Sequence, residues 1–123
     1  MNRAGIDRAG RQAMEPIQWS AVQDSLNAFS GAAAYLHLET TRGAYTKSTF
    51  GAFARNVPIQ FSRAHLAGEG PYRVGLKLDQ GWIYAEGLTH WELDACGRLL
   101  LAGHDEEGRL TVALQLSRSA FSV

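Results

Sequence analysis

Two alternating runs, residues 72–78 (YRVGLKL) and 82–88 (WIYAEGL), are joined by Asp79-Gln80-Gly81. No other feature constrains the fold of this chain as tightly. A three-residue loop ending in glycine supplies the left-handed position that a β-hairpin turn needs. Closing the hairpin at Leu78 and Trp82 predicts that Leu76 faces Tyr84, Val74 faces Glu86 and Tyr72 faces Leu88. One face then holds Tyr72, Val74, Leu76, Leu78, Trp82, Tyr84 and Leu88 as core, with Glu86 as a lone carboxylate among them. The other holds Arg73 and Lys77 above a floor of Gly75, Ala85 and Gly87, with Ile83. Two cations above so small a floor read by default as exposed charge, and otherwise as a surface that a partner chain or an anionic ligand covers.

The remaining periodicity agrees with strands. Residues 34–39 alternate Ala34, Leu36 and Leu38 against Tyr35, His37 and Glu39. A turn at Thr41-Arg42-Gly43 and a returning strand over 44–53 would set Glu39 opposite Tyr45 and His37 opposite Lys47. Asn56-Val57-Pro58 interrupts, and Pro58 restricts its strand to an edge or a bulge. Ile59 and Phe61 then give way to Ala64 and Leu66, which indicates a bend. After Gly87 the apolar phase reverses toward Trp91 and Leu93, so a bulge or a passage between sheets is expected near 87–89. Leu99-Leu100-Leu101 reads as a strand buried on both faces. Leu110, Val112, Leu114 and Leu116 alternate cleanly with polar and small residues, and Phe121 is expected to dock.

One helix precedes the strands. Ser20 and Gln23 fit a capping box. Val22, Leu26 and Phe29 fall at i, i+4 and i+7, and Ser30-Gly31 ends the run. The pattern therefore predicts an all-β fold: an antiparallel barrel or two-sheet sandwich of about seven strands with one short N-terminal capping helix. Residues 1–15, with two Arg-Ala-Gly copies and no apolar period, read as a flexible tail, and 16–123 as a single β domain.

Composition excludes some functions. Twelve basic residues balance twelve acidic ones, which argues against a dedicated nucleic-acid or anionic-membrane binder. No apolar run approaches the roughly 20 residues of a membrane span. The single cysteine, Cys96, excludes an internal disulfide and reads as an inert surface thiol in a reducing cytoplasm. Nucleotide-loop, nucleophile-elbow, His-Glu-x-x-His and Cys-x-x-Cys signatures are absent, and no cofactor is indicated.

The chemical candidates are histidines and carboxylates. His37-x-Glu39 and His90-x-Glu92 each place an imidazole and a carboxylate on one strand face, about 6–7 Å apart. That spacing serves a metal or an acid–base pair only when a third group converges, His104 beside Asp105 being one choice. The other reading is a solvated polar ladder. Glu86 either pairs structurally with an arginine or a tyrosine hydroxyl, or serves a ligand as a perturbed acid.

Several stretches together resemble the YojF family: His37-Leu38-Glu39-Thr40-Thr41 with Gly43 and Tyr45; Gly70-Pro71-Tyr72-Arg73-Val74-Gly75-Leu76-Lys77; Gly81-Trp82-Ile83-Tyr84-Ala85-Glu86-Gly87-Leu88-Thr89; Arg98-Leu99-Leu100-Leu101-Ala102-Gly103-His104; and Leu114-Gln115-Leu116-Ser117 with Phe121. These are small, functionally uncharacterised proteins of Bacillus-type bacteria. The resemblance spans 17–123, implies an all-β fold and brings no catalytic residues. His37 and His104 fit the family's pattern, and residues 1–14 look like an addition. The resemblance also implies a link to a zinc-dependent deacetylase of bacillithiol biosynthesis, whose gene neighbours those of the family.

Three expectations follow. The first is a non-enzymatic module that forms homo-oligomers or binds a partner, plausibly that deacetylase. The second is a pocket for a small polar metabolite, a sugar or thiol, or a hydrolytic site, in which Glu86, Arg73, Tyr84, Lys77, His37 and His104 converge. The third is a metal site at His37, Glu39 and His104.

Overall fold

The computed structural model describes residues 14–41 and 51–122. Its elements run β1 (Glu15–Pro16), α1 (Trp19–Phe29), β2 (Ala34–Thr41), β3 (Gly51–Ile59), β4 (Arg63–Ala67), β5 (Tyr72–Lys77), β6 (Trp82–Leu88), β7 (His90–Leu93), β8 (Leu99–His104) and β9 (Leu110–Ser117). The strands form two antiparallel sheets, one ordered β1-β7-β8-β9-β2-β3 and one ordered β4-β5-β6. Of the two all-β architectures left open by the alternation, the chain adopts the sandwich. The alternating residues of both sheets meet in one core. Leu36, Leu99, Leu101, Leu114 and Leu116 face Leu66, Val74, Leu76, Ala85 and Leu88 across it. No helix among the described residues is long and apolar enough to cross a membrane.

Helix α1 buries the expected stripe of Val22, Leu26 and Phe29. Full burial of such side chains contributes roughly 1.5–3 kcal/mol each. The cap differs from the expectation. Gln18, not Ser20, is the N-cap, and its side-chain oxygen accepts the Ala21 N–H at 2.8 Å. Gln23 has another task. Its amide nitrogen donates to Ala64 O at 3.0 Å and its oxygen accepts from Leu66 N at 2.9 Å. Those bonds tie the helix to β4, where the free strand edge competes better for the amide than the helix's own first turn. At the other end Arg118 donates to the carbonyls of Ala28, Phe29 and Ala33, placing a cation where the helix dipole is negative.

The β5–β6 hairpin departs from its expected register. Tyr72 does face Leu88, but Leu76 faces Ile83, Val74 faces Ala85, and Gly75 faces Tyr84. Leu78 N–H bonds to Gly81 O at 2.7 Å, so Asp79 and Gln80 alone make the turn. A two-residue turn in place of a three-residue one moves the β6 side chains from Trp82 to Glu86 to the opposite face, and a bulge between Ala85 and Leu88 returns Leu88 to the core. Ile83 and Ala85 therefore enter the core side, whereas Trp82, Tyr84 and Glu86 are exposed.

The partner of β2 also differs. Glu39 faces Phe53 and Leu38 faces Ala54 on β3, not Tyr45 or Lys47, which lie outside the described residues together with the expected turn at Arg42-Gly43. The expected tail over 1–15 lies almost wholly outside them too. Asn56-Val57-Pro58 does not end the strand. It runs within edge strand β3, where Asn56 takes a positive φ of 56°. Asn56 then holds the C-terminal segment, accepting Phe121 N–H at 2.6 Å and donating to Phe121 O at 2.9 Å.

The passage between sheets expected near residue 88 is present. Chain leaving β6 enters β7 of the other sheet through Thr89 alone. Thr89 N–H donates to Ala102 O at 2.9 Å and its carbonyl accepts Ile17 N–H at 3.0 Å. Gly87 and Gly103 permit the crossing. A Cβ on Gly103 would stand 2.1 Å from Gly87 O.

The turns β7–β8 and β8–β9 repeat one device, Asp-x-x-Gly-Arg, at 94–98 and 105–109. In each, the aspartate Oδ1 accepts the amides two and four residues on, and Oδ2 accepts the arginine Nε. Gly97 and Gly108 supply the positive φ. Burial alone would raise the Asp94 pKa, but the Arg98 amide, the Arg98 guanidinium and the Cys96 amide together hold it below the ordinary value. Asp105 is lowered first by the Arg109 amide.

Candidate functional site

The outward side chains of the three-stranded sheet form a grid. Antiparallel register sets Arg63 beside Lys77 and Lys77 beside Trp82. It sets His65 beside Gly75 and Gly75 beside Tyr84, and Ala67 beside Arg73. The centre of the grid is thus the one residue without a side chain. Trp82 and Tyr84 stack at 5.7 Å between centroids with planes 9° apart, and they lie toward that centre. A Cβ on Gly75 would come within 3.0 Å of Tyr84 Cε1 and 3.5 Å of Trp82 Cε3. Both rings are well exposed, at 40% and 51%.

Cations cover the rings. The Arg63 guanidinium lies 5.8 Å and Lys77 Nζ 5.4 Å from the Trp82 ring, and Arg73 lies 5.2 Å from the Tyr84 ring. Each such contact is worth about 0.5–1 kcal/mol at an exposed site. Stacking fixes an arginine's plane while leaving its N–H edge free for a carboxylate or phosphate. Among the described residues the ion pairs involve other groups, so no carboxylate neutralises these three cations. Arg63, His65, Arg73, Gly75, Trp82 and Tyr84 line a cavity of about 360 Å³ on this face. Chemically, the face can bind an anion against an aromatic wall.

The six residues expected to converge are divided among four places. Arg73, Lys77 and Tyr84 share the grid. Glu86 is exposed beyond Tyr84, over a gap between the sheets lined also by Thr40 and Thr111. Its expected position inside the core was an outcome of the wrong hairpin register. His37 sits on the six-stranded sheet, buried, with Nε2 3.2 Å from Glu39 Oε1 and Nδ1 3.2 Å from Arg55 Nη1. Arginine only donates, so Nδ1 accepts and Nε2 carries the proton that Glu39 receives. Arg55 also donates to Ser122 O at 2.8 Å. The pair expected to be a solvated ladder or a ligand set thus anchors the C-terminal segment.

His104 is elsewhere again, edge to face with His90 at 5.0 Å. Thr89 Oγ1 lies 2.7 Å from His90 Nδ1 and accepts the His104 N–H at 3.2 Å. Burial, and then the neighbouring His104, push the His90 pKa below its ordinary value. Among the described residues no three His, Cys, Asp or Glu side chains gather as a metal site, and His104 does not join His37 and Glu39.

Arg63, His65 and Trp82 belong to the site although none was expected in it. Arg63 and His65 carried a signal, since Ala64 and Leu66 alternate with them. Trp82 was assigned to the core because the hairpin was closed one residue too wide.

Comparison with known proteins places the chain among uncharacterised relatives. Residues 16–121 match a family described as protein of unknown function (DUF1806). A Bacillus subtilis (strain 168) protein, described as uncharacterized protein YojF, is 44% identical over 116 residues, which cover 89% of this chain and 100% of that one. The crystal structure of the Bacillus subtilis YojF protein superposes with a TM-score of 0.81 at 45% identity, covering 91% of this chain and 100% of the other.

Proposed function

We propose a function from one premise: this chain belongs to the YojF family, the proteins of unknown function described as DUF1806. It is a non-enzymatic binding module of the cytoplasm that presents the outer face of β4, β5 and β6 to an acidic surface of a partner protein. The observation that carries this reading is the set of three cations stacked on two exposed aromatic rings without a neutralising carboxylate among the described residues. Arginine and tryptophan are the side chains that most often dominate binding energy, and truncating such anchors costs 2 kcal/mol or more at roughly central positions. The partner to test first is the zinc-dependent deacetylase of bacillithiol biosynthesis that the family resemblance brings in.

Titration calorimetry of the chain with that deacetylase tests the reading. The dissociation constant is expected to rise at least tenfold, about 1.4 kcal/mol, in Arg63→Ala and in Arg73→Ala. It is also expected to rise between about 0.05 M and 0.5 M salt, as screening requires. Binding that ignores both substitutions and salt, or no binding at all, refutes this partner.

The cavity of about 360 Å³ above Gly75 favours a second reading, a small polar metabolite with an anionic group, such as a sugar or thiol carrying a carboxylate. Ligand-detected NMR with such compounds separates the two. Saturation transfer that vanishes in Arg73→Ala supports the metabolite, and its absence with every compound removes it.

A further inference from the structure

Each of the two sheets has two outer strands, and three of these four edges are blunted. Strand β1 has two residues and ends on Pro16. Strand β3 carries Pro58 and the left-handed Asn56, with a bulge against β2 between Leu36 and Leu38. Strand β4 is covered by α1: Trp19 Nε1 donates to Leu66 O at 2.8 Å, and Gln23 takes the Ala64 carbonyl and the Leu66 amide. Proline, bulges and helical cover are the usual means by which soluble proteins prevent strand addition.

Strand β6, seven residues from Trp82 to Leu88, has no proline and no helical cover, and its one bulge lies at the far end, between Ala85 and Leu88, leaving Trp82–Ala85 regular. Leu78 N–H and Gly81 O close the hairpin, and pairs then alternate along an antiparallel ladder. The backbone N–H and C=O groups of Trp82 and Tyr84 therefore point away from β5. Among the described residues no other strand takes them.

We propose that a second copy of this chain adds to β6, antiparallel about a two-fold axis at Tyr84, joining two three-stranded sheets into one of six. The charges favour this occupant and this register. Pairing Tyr84 with its own copy sets Glu86 opposite the second copy's Trp82, on the outer face. Glu86 is exposed and has no cation partner among the described residues. In the second copy it meets the row that begins Arg63, Lys77, Trp82. By symmetry the complement is made twice, as an isologous interface requires. Both exposed aromatic rings of each copy gain cover at the seam. The outer face stays open to solvent, so this inference stands apart from the proposed partner.

Light scattering after size-exclusion chromatography of the full chain, with no partner added, tests it. The expected mass is twice 13.4 kDa. Tyr84→Pro is expected to give a folded monomer, because the N–H it removes serves the outer edge and not the β5 ladder. Should that variant fail to fold, charge exchange decides. Glu86→Lys and Lys77→Glu are each expected to raise the dimer dissociation constant at least tenfold, and the double variant to return it to within threefold of the wild type. A wild-type monomer at about 100 μM, where even weak homodimers assemble, overturns the proposal. A dimer indifferent to both charge reversals does so as well.

Discussion

Replacing Asp94 with alanine tests how much of this sandwich rests on one short turn. The carboxylate is 4% exposed and accepts three bonds: Cys96 N–H at 2.9 Å, Arg98 N–H at 2.9 Å and Arg98 Nε at 2.6 Å. A hydrogen bond to a charged group contributes about 1.5–3 kcal/mol, and bonds sharing one acceptor do not add. The Arg98 side chain is 36% exposed, so its charge finds water when the aspartate is removed. The two amides in the turn bear most of the loss. The sum is about 3 kcal/mol, and at about 4 °C per kcal/mol for a domain of this size the melting temperature falls about 12 °C. Calorimetric melting at pH 7 measures it. Asp105→Ala removes the same bonding pattern from a more exposed site, 27% against 4%, so its melting point falls less. The pH dependence follows the same logic. The Asp94 pKa is depressed in the folded chain, so its contribution is complete above the unfolded value, about 3.9, and disappears as pH falls through the folded one. The gap between wild type and Asp94→Asn is therefore constant from about pH 7 to 5 and closes below about 4. A loss under about 3 °C for Asp94→Ala, or a larger loss for Asp105→Ala, refutes the reasoning.

Three further substitutions probe the rest of the molecule. Gly103→Ala forces a Cβ to 2.1 Å from Gly87 O and 2.6 Å from Val112 Cγ1; denaturant unfolding should show a loss of roughly 3 kcal/mol or more. Gly75→Thr meets only the movable rings of Tyr84 and Trp82, so thermal melting stays close to wild type while calorimetric binding at the outer face weakens. For His90 the folded pKa lies below the ordinary 6.5, so the unfolded chain takes up the proton first. Stability therefore declines as pH drops below about 6.5, until the folded pKa is reached. His90→Gln should flatten the melting temperature between about pH 7.5 and 5.5, and an unchanged slope dismisses the imidazole as the cause.

Much of this architecture is legible in the residues themselves. The stripe of Val22, Leu26 and Phe29, the alternation over 110–117 and the docking of Phe121 all follow from apolar period. The passage from β6 to β7 does follow a break in phase, but the break is the bulge between Ala85 and Leu88 and not a reversal from Trp82 and Tyr84. The site was harder, because its face depends on a count of one. With Asp79-Gln80-Gly81 taken as the turn, Trp82 and Tyr84 fall inside. With Asp79-Gln80 taken as the turn, they fall outside over Gly75. Large aromatic rings favour the first choice on burial alone. The three cations opposite them favour the second, since a ring that stacks on guanidinium need not be buried. The two Asp-x-x-Gly-Arg turns were visible at fixed spacing, yet their bonding is between side chain and backbone and leaves no trace in hydrophobic period. Gln23 shows the same limit: helix and strand edge compete for one amide, and only the three-dimensional arrangement decides.

The passage at Thr89 has a mechanical consequence. A single residue, held in the six-stranded sheet by Ile17 N–H on one side and Ala102 O on the other, carries the chain to that layer from Leu88 of the three-stranded one. The layers have no slack at this corner with which to slide. Shear there must pull Thr89 from the β8 edge, so its amide, bonded to Ala102 O, should exchange its hydrogen no faster than the β7–β8 ladder beside it.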